Sequence, residues 1–303
     1  MRGIINAESL AKASLWATPY VCCRTPALLT ASQKCPCKQA FLLRGIINAE
    51  SLAKRPSEGR IGLGTLIYFQ KGFNYSQDGP GNRLVYHLYG CDMRCPWCAN
   101  PECFARDTVC REVSCEEIVE EAARSRPMLF DGGGVTFTGG EATLRFDALK
   151  EVLTALKAVG IHTALESNAN HPRLPELFPL VDHLMLDIKH PDSAEQLRVC
   201  GVANDVALRN IQLAAGRQLA LRIPLINGYN TSDDCIEEFV RILKELPQGS
   251  QMTVELLPYH EYGRVKWEKH GMEYLVRDGY VSTARMNEIR NYFDKAGIPL
   301  IKT

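Results

Sequence analysis

The chain lacks any surplus of charge: among its 303 residues, 35 Lys and Arg face 35 Asp and Glu. A balanced charge leaves no electrostatic footprint for a polyanion, which argues against nucleic acid and towards a protein or small-molecule substrate. A long hydrophobic run is missing too. No stretch approaches the roughly 20 apolar residues needed to cross a bilayer, so no membrane anchorage is expected. Nor is there a convincing secretory leader, and the 12 cysteines are unevenly clustered in a chain long enough to bury a core without staples. Those features argue against a disulfide framework and for a reducing, cytoplasmic setting. A content of 46% hydrophobic and 23% charged residues is ordinary for a globular protein. Length alone suggests two domains, but barrel-like α/β folds run past about 200 residues as one unit, so one main domain is expected.

The N-terminal stretch reads differently from the rest. RGIINAESLAK occurs at residues 2–12 and again, unchanged, at 44–54, and between the copies lie Cys22, Cys23, Cys35 and Cys37 among scattered Pro and Thr. The segment is basic and poor in acid, as an organellar transit peptide would be, and its CC…CPC pattern suits a metal; a local duplication or a misassigned start accounts for it equally. We assign 1–61 to an N-terminal extension, expected to be poorly ordered and without chemistry, and 62–303 to the main domain.

What is present in the main domain begins with three cysteines. Cys91, Cys95 and Cys98 are spaced C-x3-C-x2-C in GCDMRCPWCANPE, directly after the apolar run RLVYHLY. A cubane iron-sulfur cluster takes four thiolates, so a three-cysteine cradle leaves one iron open to bind and activate a further ligand. Cys103 lies five residues beyond the triad, and with it the set could instead close a tetrahedral zinc site or an electron-transfer cluster, although zinc motifs usually come as paired knuckles. The uneven trio, with an aromatic residue before its third member, resembles the radical SAM superfamily, whose open iron chelates S-adenosyl-L-methionine. That resemblance implies an enzyme.

From about residue 64 short apolar runs alternate with amphipathic stretches, the mark of β-α units around a parallel sheet. Strands are expected at RLVYHLY, GGGVTFT, HTALES, DHLMLDIK, LALRIPLI and MTVELLPY. A capping box, Ser114 with Glu117, opens a helix CEEIVEEAARS. Phe146, Leu149, Val152, Leu153 and Leu156 recur at helical spacing before Gly160, and further helices fall near 205–216, 233–245 and 282–295. Polar residues gather where strands end: Gly139-Gly140-Glu141, Glu166-Ser167-Asn168, Asp187 with Lys189, and His260, while Arg222 lies within the fifth strand. In β/α barrels that rim is the active-site mouth.

Each motif suits a ligand. Gly140 beside Glu141 permits close backbone approach to an ammonium group, where a plain turn is the simpler account. Trp97 could pack near an adenine or merely in the core. Asp187 and Lys189 at the tip of an apolar strand could hold both charged ends of an amino acid, or form a surface ion pair. His260 could bond a ligand or shuttle a proton, and Asp78-Gly79-Pro80-Gly81 reads as a rigid turn.

Taken together, GFNYSQDGPGNRLVYHLYGCDMRCPWCANPE, GGGVTFTGGEA, DHLMLDIK, RIPLINGYN and ELLPYHEYGRVKWEKHGMEY resemble, in order, the glycyl radical enzyme activating enzymes over about residues 64–303. The resemblance implies an α/β partial (β/α)6 TIM-like barrel with one 4Fe-4S cluster on Cys91, Cys95 and Cys98. It implies S-adenosylmethionine contacts from Trp97, Cys98, Ala99, Gly140, Glu141, Ser167, Asp187, Ile188, Lys189 and His260, and a monovalent-cation site from Glu166, Ser167, Met185 and Asp187. The turn Asp78, Gly79, Pro80, Gly81 would meet the glycine loop of a partner glycyl radical enzyme. Reduced flavodoxin or ferredoxin would supply the electron, and the open cluster would make the enzyme anaerobic in habit. Three departures stand out. The third-strand motif reads ESNA where the family more often has Thr and Gly, DGPG continues Asn82-Arg83-Leu84 rather than Ile-Arg-Thr, and only Cys103, Cys110 and Cys115 follow the triad closely, too few for a two-cluster insert. Two other readings stay open: a radical SAM enzyme acting on a small molecule, and a non-catalytic zinc or iron-sulfur module.

Overall fold

The computed structural model describes residues 64–247 and 251–301. The expected extension, with its repeated 11-mer and four cysteines, lies outside the described residues, as does a boundary near residue 61. The strands are β1 (Thr65–Tyr75), β2 (Asn82–Leu88), β3 (Arg111–Ser114), β4 (Val135–Gly139), β5 (Thr163–Ser167), β6 (His183–Asp187), β7 (Leu219–Leu225) and β8 (Met252–Pro258). The helices are α1 (Cys115–Arg124), α2 (Phe146–Ala158), α3 (Ser193–Cys200), α4 (Asp205–Ala214), α5 (Asp233–Lys244), α6 (Arg264–Lys269) and α7 (Thr283–Lys295).

One sheet holds all eight strands in the order β3-β1-β2-β4-β5-β6-β7-β8. From β2 to β8 every neighbouring pair is parallel and follows chain order, so the six expected strands wind as a partial (β/α)6 barrel. The outer edge of β8 is met by the chain end, where Val254 bridges Leu300. At the other edge β1 and β3 add antiparallel strands that the sequence pattern did not reveal. The burial of β1 follows no clean period of two, and β3 has only four residues, so neither carries the alternation that marks a strand.

Local signals fix the helices. Ser114 Oγ accepts from the Glu117 amide while Glu117 Oε2 accepts from the Ser114 amide, the reciprocal box expected for α1. On α2, Leu149, Val152, Leu153 and Leu156 are buried, and Gly160 at φ +69 supplies the left-handed residue that ends it. Between β5 and β6 the connection is a 3-10 segment, Leu174–Leu180, in which Pro179 blocks a regular helix. The glycine run before β4 has a steric cause: a Cβ on Gly133 or Gly134 would lie 1.9 Å from the carbonyl oxygen of Asn82 or His162. Those residues form the tight entry to β4 rather than strand.

The barrel floor is closed by the 76–81 segment. Arg83 is fully buried, donating to Thr136 Oγ1 at 2.6 Å, Val135 O at 2.9 Å and Pro80 O at 3.0 Å, and so pins the DGPG turn to β4. Above it Ala164, Met185 and Ala220 form a small apolar cluster, in which the two alanines leave room in the barrel. Replacing Arg83 with Met should leave these carbonyls unsatisfied and cost about 2–4 kcal/mol, read as a lowered urea midpoint. His183, at the start of β6, is held neutral: burial, then the charge of Arg83, depress its pKa to about 4. The unfolded chain therefore takes up this proton at a higher pH than the fold does, and stability falls as pH drops from about 6.5 towards about 4. His183→Gln should flatten that part of the pH profile in urea titrations.

Candidate active site

The C-terminal ends of the parallel strands open onto a cavity of about 290 Å³ lined by Cys91, Cys95 and Cys98 together with Trp97, Ala99, Gly140, Ser167, Asp187, Lys189 and His260. The triad residues and the strand-end motifs therefore meet at one place, as the barrel-mouth reading expected. Asp78 lines the same cavity, because the DGPG turn rises into the barrel from the opposite end.

The cysteine loop is clamped from several sides. Its amides engage the fold, Cys98 N donating to Cys95 O at 3.1 Å and Gly90 N to Cys103 O at 2.8 Å. Arg94 lies over the Phe104 ring and donates to Cys91 O at 2.7 Å. The closing LLPYHEYG…K block packs on top: Trp267 Nε1 donates to Cys98 O at 2.9 Å, and Lys266 pairs with Glu102 at 3.1 Å. Gly263 is required there, since a Cβ would stand 2.4 Å from Cys98 O.

Among the described residues, no three His, Cys, Asp or Glu side chains converge as a site for a single metal ion. Cys91, Cys95 and Cys98 line one cavity, and three thiols suit a cluster with an open iron better than a structural zinc, which takes four ligands. Cys103 is fully buried, packed with Cys91 and Cys98 and against Gly140. Its thiol is pushed well up by those neighbours and by burial, while Cys98 is held down by Cys103 beside it.

Glu141 does not line the cavity. It is buried, with Oε1 accepting from Thr143 N, Thr143 Oγ1 and Ser167 Oγ at 3.0, 2.6 and 2.8 Å, and Oε2 accepting from Asn168 N at 2.8 Å. Burial, with Asp92 second, pushes its pKa up to about 7. Its contribution is to brace the strand ends, leaving Gly139 and Gly140 to present bare backbone to the cavity. The ESNA departure has a purpose here: Asn168 Nδ2 donates to Asp92 Oδ1 at 2.7 Å, tying the end of β5 to the cysteine loop. Ile188 is likewise turned into the core, and its amide is taken by Arg222 O at 2.9 Å.

The residues read as a cation site are otherwise engaged. Glu166 pairs with Arg222 at 2.8 Å, Asp187 with Lys189 at 2.7 Å, Ser167 turns to Glu141, and Met185 is buried in the small apolar cluster. Burial opposes the Lys189 charge, but Asp187 and then Cys95 outweigh it and hold the ammonium on. Trp97 stacks edge-on against Tyr229 at 5.1 Å, and His260 lies on Tyr262 at 4.4 Å, its pKa lowered by desolvation.

Sequence reasoning missed the inward layer below the mouth. Arg222 donates to Glu166 and Glu255 at 2.8 Å each and to Gln77 O at 2.8 Å. Burial opposes the charge of Glu166, yet Arg222 prevails and keeps its carboxyl low. Asp78, bonded by Asn74 and lying near Glu166, has its pKa raised, first by burial. His87 lines the cavity, faces both carboxylates and is kept neutral by burial, with no partner for Nδ1 among the described residues. The available signal was a polar residue breaking an apolar strand, His87 in RLVYHLY and Glu255 in MTVELLPY.

Comparison with known proteins agrees with this geometry. The Radical SAM superfamily model matches residues 85–243, more than half of the chain. The chain is 33% identical over 204 residues to pyruvate formate-lyase 1-activating enzyme of Escherichia coli (strain K12), covering 65% of this chain and 82% of that protein. It is 29% identical over 289 residues to 4-hydroxyphenylacetate decarboxylase activating enzyme of Clostridioides difficile (strain 630), covering 73% and 90%. A radical SAM methyltransferase from Sphaerobacter thermophilus shares the fold at TM-score 0.53 and 18% identity, over 76% of this chain and 67% of that one. Barrel, cysteine loop and these relatives agree: the chain belongs to the radical SAM superfamily, among its glycyl radical enzyme activating enzymes, and its cofactors are a 4Fe-4S cluster and S-adenosylmethionine.

Proposed function

We propose that this enzyme installs a glycyl radical in a partner enzyme, with Cys91, Cys95 and Cys98 holding the cluster and the strand-end residues holding S-adenosylmethionine. The observation that carries the reading is one cavity lined at once by the three thiols, by Gly140, Asp187 and Lys189, and by Asp78 of the DGPG turn. A cluster held by Cys91, Cys95 and Cys98 would present an open iron to S-adenosylmethionine and supply the single low-potential electron for its reductive cleavage, the chemistry that hydrogen abstraction from a glycine Cα requires.

The chain's own residues do the binding and the sheltering. Gly139 and Gly140 lack side chains where a ligand must approach backbone, and Gly139 at φ +113 adopts a conformation that favours glycine. Lys189, kept charged, suits a carboxylate. Trp97 and Ala99 flank the cavity beside Cys98 and suit an adenine face. His260 stands at the rim, where it can bond the nucleoside or close over it. Asp78 and His87 form the inner wall from which an inserted peptide loop would be held, and closure by that loop would exclude water and oxygen. A small-molecule substrate is the second reading; Asp78 of the DGPG turn and the LPYH residues, which line the cavity, favour the protein partner.

Anaerobic reconstitution should load about four irons per chain, against about one zinc for a zinc module. Cys91→Ala, Cys95→Ala and Cys98→Ala should each abolish the cluster absorption, whereas Cys103→Ala should retain it; loss in the Cys103 variant would mean a closed site and end the radical mechanism. With reductant, S-adenosylmethionine and a candidate partner lyase, electron paramagnetic resonance should show a glycyl doublet, and a survey of such lyases without one would refute the activase reading. Asp78→Asn should leave uncoupled S-adenosylmethionine cleavage intact while lowering the glycyl radical yield about tenfold, the effect of losing roughly 1.4 kcal/mol of loop binding.

A further inference from the structure

Helix α3 ends on Cys200, which is fully buried. Its side chain packs with Met93 and Cys95, which places the two sulfurs beside each other in one buried cluster. Its backbone carbonyl accepts from the Arg94 amide at 2.8 Å, so the helix end and the cysteine loop are joined by main chain as well as by sulfur. Gly201, in the left-handed region at φ +84, donates its amide to Leu197 O and fixes where the last helical side chain points. The ammonium of Lys189 lies within electrostatic reach of both sulfurs.

A sulfur bound to iron is a thiolate and can only accept. Once Cys95 is a ligand, a hydrogen bond between these packed residues can run only from the Cys200 S–H to the Cys95 sulfur. We propose that Cys200 is a positioning residue that, through this bond, raises the reduction potential of the cluster; the inference rests on the cluster reading above. A hydrogen bond to a ligand sulfur stabilises the more negative, reduced cluster, and hydrogen bonding to sulfur is one of the levers that set such potentials. Its effect is to ease electron uptake from the donor at some expense in driving force for the sulfonium.

The test is a redox titration of the anaerobically reconstituted full-length protein, followed by electron paramagnetic resonance of the reduced cluster without S-adenosylmethionine. Cys200→Ser keeps a donor and should stay at or above the wild-type midpoint. Cys200→Ala loses it, and its midpoint should move to a more negative value, with the ratio of reduced to oxidised cluster at a fixed donor potential falling several-fold. Should Ala disturb folding, the isosteric pair Cys200→Thr and Cys200→Val makes the same comparison, Val behaving as the donor-free variant. Equal midpoints across donor and donor-free variants overturn the proposal alone, whereas a wild-type protein that takes up no cluster overturns it together with the reading on which it rests.

Discussion

The guanidinium of Arg222 is the interaction on which the interior depends. It lies inside the barrel between the carboxylates of Glu166 and Glu255 and also reaches the carbonyl of Gln77, so one side chain joins β5, β7, β8 and the segment leading into the DGPG turn. A charge so placed is tolerated only with partners present, and removing Arg222 would leave the two carboxylates facing each other with no cation between them. The arrangement keeps the barrel polar and open where apolar side chains would have filled it. The methyl side chains of Ala164 and Ala220, which pack with Met185, complete the effect by occupying little of the volume.

A second set of bonds carries that framework up to the cysteine loop. Glu141 gathers Thr143, Ser167 and the Asn168 amide, and Asn168 in turn holds Asp92 between the first two cysteines. A carboxylate with four donors is worth burying even where its ionisation is suppressed, because each donor would otherwise be unsatisfied. The ligand-facing surface is consequently built from backbone and from the tips of neighbouring strands, while the carboxylate behind it sets the geometry.

Much of this was legible in the amino-acid order. The six parallel strands, the capping box of α1, the leucine stripe of α2 and the convergence of the strand-end motifs on the triad all follow from local patterns with known periods. The antiparallel pair β1 and β3 was not, because β1 is an edge element with mixed exposure and β3 is too short to show alternation. The roles of Glu141 and Ile188 were also hidden. Their positions beside the motif are visible in sequence, but whether a side chain faces the cavity or the core depends on strand register and twist, which no single motif encodes. Cys200 illustrates the same limit: a lone cysteine at a helix end gains meaning only when folding places it on Cys95.

The contact of Trp267 and Gly263 with the Cys98 carbonyl joins residues far apart along the chain. During synthesis the cysteine loop emerges well before this cover exists, so the nascent chain displays its three thiols uncapped until the last strand and helix α6 have followed. The finished cradle is thus a late product of biogenesis, and iron and sulfide delivered to a completed chain meet a pre-shaped receptor where an unfinished one offers only loose ligands.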